Sequence, residues 1–105
     1  MTHPINRLYE DILKHGEDQI RFPRTAKLLA GTKVRLAQKL SEEATEVALE
    51  FAVGDRDAVV RESADLLYHL VLVWVAAKIL PDEIGWEIDR RKKMIGLAEK
   101  LPKAV

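Results

Sequence analysis

Glu43 and Glu46 stand three residues apart, and so do Glu62 and Asp65. On a helix that spacing is about one turn, so each pair projects two carboxylates from one face. The pairs are also symmetric about a glycine: Glu46 and Glu62 each lie eight residues from Gly54, and Glu43 and Asp65 each lie eleven. Two helices folded back at Gly54 would bring the pairs level, at ~12 and ~16 Å from the turn for a rise of ~1.5 Å per residue. Four carboxylates would then face one another. Like charges ~4 Å apart repel by roughly 4 kcal/mol at an effective dielectric near 20, so such a cluster calls for a cation. Carboxylate oxygens suit Mg²⁺ or Mn²⁺, which keep several waters and leave positions open for substrate phosphates. The same residues admit a plainer account. Glu43, Glu46 and Glu62 also suit solvated helix faces, and an arginine or lysine would satisfy Asp65 without any metal. Asp65 resists dismissal most, because a poor helix former is followed there by Leu66, Leu67, Leu70 and Val71.

Other chemically capable residues carry weaker signals. His69 lies four positions beyond Asp65 and shares its face, but oxygen-preferring metals seldom take an imidazole. It reads as a packed histidine, or as one supporting the acids from outside the ligand set. His3 and His15 make no zinc-like spacing with it. Trp74 and Trp86 read as packing or subunit-contact residues rather than stacking platforms for a base. The basic run from Asp89 to Met94, DRRKKM, could meet phosphate, and an exposed helix face explains it equally well.

The elements that must hold these residues are helical throughout. Residues 5–20 place Ile5, Leu8, Ile12 and Leu13 at helical spacing, with Gly16 weakening the end. Residues 21–32 contain Pro23 and Gly31 and read as a connector with at most a short turn around Thr25 to Leu29. From Lys33 to Val53, the positions Leu36, Leu40, Ala44, Val47, Ala48 and Phe51 form one apolar stripe. Gly54 supplies a helix stop, and Asp55 or Asp57 the next N-cap. The following helix extends to about Leu80 and is apolar almost all round from Leu66, more than its neighbours in so short a chain can cover. A second subunit should cover it, which predicts an obligate homodimer. A last helix starts near Pro81, with Asp82 and Glu83 complementing its dipole, and continues past Gly96 to about Glu99. No strand-like alternation or repeat interrupts the pattern, so the expected class is all-α.

Composition bounds the rest. A chain of 105 residues, 48% hydrophobic and 32% charged, suits one folded domain over 1–105. Lys plus Arg and Asp plus Glu both number 17, so net charge argues for neither a nucleic-acid nor a membrane partner. The chain has no cysteine, which removes thiolate nucleophiles and disulfides and fits a reducing compartment. The longest nearly apolar run, Leu66 to Ala77, falls short of the ~20 residues of a membrane span. A soluble, cytoplasmic protein is the expectation.

The segment KLSEEATEVALEFAVGDRDAVVRESADLLYHLVLVWVA, residues 39–76, closely resembles the core of the phosphoribosyl-ATP pyrophosphatases of histidine biosynthesis. That family lies within the all-α nucleoside triphosphate pyrophosphohydrolases, which include MazG-type enzymes and dimeric dUTPases. Their signature is an E-x-x-E pair followed, after a hairpin turn, by E-x-x-D, here Glu43, Glu46, Glu62 and Asp65, with Glu42 completing an EExxE form. TAKLLAGT at 25–32 and, more weakly, GLAEK at 96–100 extend the likeness. It implies a four- to five-helix MazG-like bundle with a central antiparallel helix hairpin, completed by dimerisation. It also implies hydrolysis of the α–β phosphoanhydride of phosphoribosyl-ATP, giving phosphoribosyl-AMP and pyrophosphate, with Mg²⁺ (or Mn²⁺) held by the four acids. Glu42 is then the candidate to orient or deprotonate the attacking water, and Arg24, Thr25, Lys27 and Lys39 are candidates for binding the nucleotide. The lysines also suit plain solvation. Pro23 and Arg24 depart from the serine and tyrosine common in this connector, and RRKKMIGLAEK departs from the family's usual ending. A housekeeping nucleoside triphosphate pyrophosphohydrolase would share the acids and differ in the pocket, whereas a non-catalytic helical module would show no divalent-dependent activity.

Overall fold

The computed structural model describes residues 3–95, which form five helices and, among the described residues, no strand. They are α1 (Pro4–His15), α2 (Pro23–Ala30), α3 (Lys33–Val53), α4 (Arg56–Ala77) and α5 (Pro81–Ile95). The all-α expectation holds. The continuation of the last helix to about Glu99, and the GLAEK segment, lie outside the described residues.

α3 and α4 make the most extensive helix pairing, because the turn between them is short and fully capped. Thr32 starts α3 by accepting the Arg35 amide on its Oγ1 at 3.1 Å. Gly54 stops it in the left-handed region, φ 82°, where its N–H reaches the Glu50 and Phe51 carbonyls. Asp55 then caps α4 directly, its Oδ1 accepting the Ala58 amide at 3.0 Å. With only Gly54 and Asp55 between them the helices must run antiparallel, the hairpin that the symmetric acids require.

Three boundaries differ from the sequence reading. The connector holds a full eight-residue helix, α2, rather than a short turn. Pro23 occupies its first turn, where the missing donor costs nothing, and Thr25, Ala26 and Leu28 bury one side of it. α4 ends at Ala77 instead of near Leu80, because Lys78 adopts a left-handed φ of 60° and closes the helix. α5 follows with Pro81 in its first turn, and Glu83 Oε2 accepts the Leu80 amide at 2.8 Å. α1 ends at His15. Gly16 after it is required by close approach, since a Cβ there would lie 2.5 Å from the Ile12 carbonyl oxygen and 3.0 Å from Leu29 Cδ1.

The core is small. Tyr9 and Ile12 of α1, Leu28 of α2, Leu36 of α3, and Val71 and Leu72 of α4 form it. The α3 stripe is not buried as its periodicity suggested. Leu36 is enclosed, but Leu40 and Val47 are half-buried, Ala44 and Ala48 are exposed, and Phe51 is 77% exposed. Among the described residues no single helix is long and apolar enough to cross a membrane.

Candidate metal and nucleotide site

The hairpin does bring the acids together. Glu43 of α3 and Glu62 and Asp65 of α4 each offer a carboxylate oxygen within 4.8 Å of the others. Glu46 lies outside that three-residue group, yet it raises both the Glu43 and the Glu62 carboxyls and so belongs to the same charge cluster. Glu43 is buried, Glu62 half-buried, and Glu46 and Asp65 are exposed, so the cluster opens from a closed floor to solvent.

The electrostatics follow from that placement. The Glu62 carboxyl is pushed up to about 7, first by its hydrogen bond with Glu46, then by burial, then by the charges of Glu46, Asp65 and Glu43. Glu43 is also raised, by burial first and then by the Glu46 charge, with His69 opposing the shift. With the Glu62 carboxyl at about 7, the metal-free cluster keeps part of a proton near neutrality. Glu43 Oε2 and Glu62 Oε2 are nevertheless buried without a hydrogen-bond partner. Among the described residues no arginine or lysine pairs with any of the four acids; the ion pairs of this hairpin are Lys39–Glu42 at 3.5 Å and Arg56–Asp57 at 3.8 Å. Asp65 therefore has no cationic partner among the described residues and is exposed to solvent. Orphaned carboxylate oxygens and an all-oxygen donor set fit a hard divalent cation.

The other candidates fall into two groups. Glu42 is exposed, stands outside the three-carboxylate contact and is held by Lys39. Lys27 is exposed on α2. Arg24 is exposed too, with its guanidinium 6.0 Å from the centroid of the Tyr68 ring. Thr25 is buried, and its hydroxyl is hydrogen-bonded to the Tyr68 hydroxyl. Tyr68 is the residue the sequence reading passed over: it lies three positions beyond Asp65, the same spacing that identified the acids, yet its bond to Thr25 spans 43 positions and has no local signature. Together Tyr68, Thr25, Phe22, Leu8, Ile12 and Asp11 line a cleft of about 200 Å³ between α1, α2 and α4. The basic run is partly neutralised in place, because Arg90 and Arg91 bond Glu87 at 2.6 and 3.1 Å and hold its carboxyl down at about 2. Trp74 packs half-buried against the core, and Trp86 is 62% exposed.

The sequence profile of the family described as phosphoribosyl-ATP pyrophosphohydrolase matches residues 6–92. Phosphoribosyl-ATP pyrophosphatase 2 of Bradyrhizobium diazoefficiens is 44% identical over 99% of this chain and 78% of its own length. Its counterpart in Rhodopseudomonas palustris is 41% identical over 99% and 79%, respectively. Phosphoribosyl-ATP pyrophosphatase of Gluconobacter oxydans is 36% identical over 91% and 72%.

Proposed function

The chain belongs to the phosphoribosyl-ATP pyrophosphohydrolase family, and we propose that it hydrolyses the α–β phosphoanhydride of phosphoribosyl-ATP to phosphoribosyl-AMP and pyrophosphate, as a cytoplasmic step of histidine biosynthesis. The observation that carries the chemistry is the carboxylate cluster closed at Glu43 and open to solvent at Asp65, with orphaned oxygens on Glu43 and Glu62. Glu43, Glu46, Glu62 and Asp65 are the residues to hold Mg²⁺, with Mn²⁺ as a substitute. Bound there, the ion would neutralise triphosphate charge, stabilise the leaving pyrophosphate and lower the pKa of a water.

The protein's own groups supply the rest of the reading. Glu42, exposed beside the cluster, is positioned by Lys39 and orients or deprotonates the attacking water. Lys39, Lys27 and Arg24 provide positive charge for the phosphates that the acids cannot bind. Thr25 acts from beneath: its bond to Tyr68 anchors α2 against α4 and so sets where Arg24 and Lys27 stand. The active form is a homodimer, a reading supported by the exposed Leu49, Phe51, Val53 and Val60 at the closed end of the hairpin.

Pyrophosphate release, measured on phosphoribosyl-ATP and the common nucleoside triphosphates with and without Mg²⁺, tests this function. Mg²⁺-dependent release with phosphoribosyl-ATP preferred is the expected result. Preference for free nucleoside triphosphates would reassign the substrate while leaving the chemistry, and no release from any of them would remove the activity.

A further inference from the structure

His69 is a costly residue to place where it stands. It is 1% exposed, enclosed as completely as its neighbours Val71 and Leu72, which fill space with no polar atom to satisfy. Its Nδ1 lies 2.8 Å from the backbone carbonyl oxygen of Asp65, one turn earlier in α4. A carbonyl only accepts, so Nδ1 carries the hydrogen, and this bond fixes both the tautomer and the orientation of the ring. Tyr68 braces the imidazole, with the two rings edge to face at a centroid distance of 5.0 Å, and Tyr68 is itself tied to Thr25.

The other ring nitrogen, Nε2, is buried without a partner. The other buried side-chain atoms left without a partner among the described residues are Glu43 Oε2 and Glu62 Oε2. Nearly all buried polar groups in folded proteins are satisfied, so three orphans belonging to one cluster and the histidine beside it call for a common cause. The imidazole also acts on the Glu43 carboxyl, drawing it toward ionisation against the burial that raises it.

We infer that His69 is a positioning residue for the acid cluster: with its ring fixed by the Nδ1–H bond to Asp65, the Nε2 left unpartnered in the metal-free fold engages the Glu43 carboxyl when a divalent cation binds and holds it in the orientation that accepts the ion. The inference rests on the reading of the four acids as a metal site. It assigns His69 no contact with the substrate or the ion. Outer groups of this kind typically alter metal affinity by about 10- to 100-fold when removed.

The test is Mn²⁺ binding by the full chain, followed by electron paramagnetic resonance of the free ion, for the parent, His69→Gln and His69→Asn. Glutamine places an amide nitrogen near the position of Nε2, and asparagine near that of Nδ1. His69→Asn should weaken Mn²⁺ binding by about 10- to 100-fold, while His69→Gln retains most of the parent's affinity. A purely structural histidine would lower the metal-free melting temperature of both variants and leave their Mn²⁺ affinities equal, which overturns the inference. Weaker binding by the glutamine variant than by the asparagine variant overturns it as well. Should neither variant fold, the nitrogen resonances of His69 in the parent chain decide: Mg²⁺ should move Nε2 more than Nδ1, and an unmoved Nε2 at saturation contradicts the assignment. A parent chain that takes up no Mn²⁺ overturns the metal reading itself, and this inference with it.

Discussion

Glu62 shows how far neighbours can set the chemistry of one side chain. Its carboxyl, at about 7 instead of 4.5, keeps a proton in the metal-free fold that the unfolded chain has already released over that window. The folded state therefore binds more protons than the unfolded state between those values, and the associated stability, full below 4.5, is lost as pH rises through 7. Metal binding displaces the same proton, so affinity rises over the same window. Calorimetry in chelator should show the melting temperature falling from about pH 5 to about pH 7.5, with Glu62→Gln flattening the decline; a rising melting temperature would contradict the assignment. Arg24 carries a different expectation. Exposed above Tyr68, it is placed to meet the phosphate that distinguishes phosphoribosyl-ATP from ATP. Taking a charged hydrogen bond as roughly 1.5–3 kcal/mol, Arg24→Ala should reduce phosphoribosyl-ATP turnover by about 10- to 200-fold and leave slow ATP hydrolysis nearly unchanged. Equal effects on both substrates, or none, would remove Arg24 from the site. The acids were legible in the sequence because their spacing is local and mirrored about Gly54. The Tyr68–Thr25 bond and the orphaned Nε2 of His69 were not, since both depend on which helices meet.

The α3–α4 hairpin is the element on which the site depends, and its turn residues act in separable ways. Nothing lies within 4 Å of where a Cβ on Gly54 would stand, so Gly54→Ala acts through the left-handed backbone alone. It should cost about 1 kcal/mol. Asp55→Ala removes the cap on the Ala58 amide and should cost about 1 kcal/mol as well. Urea unfolding of the two variants measures both losses, and unchanged midpoints would show that the turn does not hold the hairpin. The end of α3 was readable because Gly54 is a strong stop signal, while the cap that starts it, Thr32, emerges only in the structure. α2 was misread because Pro23 and Gly31 act there as start and stop of a helix, whereas in isolation each looks like a breaker. The end of α4 was misplaced because a lysine, not a glycine, takes the left-handed position.

Taken whole, the chain leaves much apolar surface uncovered. Phe51 is 77% exposed, Val53 76% and Val60 57%, all at the closed end of the hairpin. Periodicity placed Phe51 on the apolar stripe of α3, but it does not say whether the chain itself or a second copy covers it. Sedimentation at micromolar concentration should show a dimer, and Phe51→Glu should shift it toward monomer; a parent chain that stays folded and monomeric would contradict the proposed assembly. The central claim is that two antiparallel helices pool four carboxylates into one metal site. Asp65 sits at the solvent-facing side of that cluster and has no cationic partner among the described residues, so Asp65→Asn preserves shape while removing one ligand charge. The most direct test is Mg²⁺-dependent pyrophosphate release from phosphoribosyl-ATP by this variant: the four-carboxylate site predicts loss of turnover from a protein that stays folded, and turnover near that of the parent would contradict it.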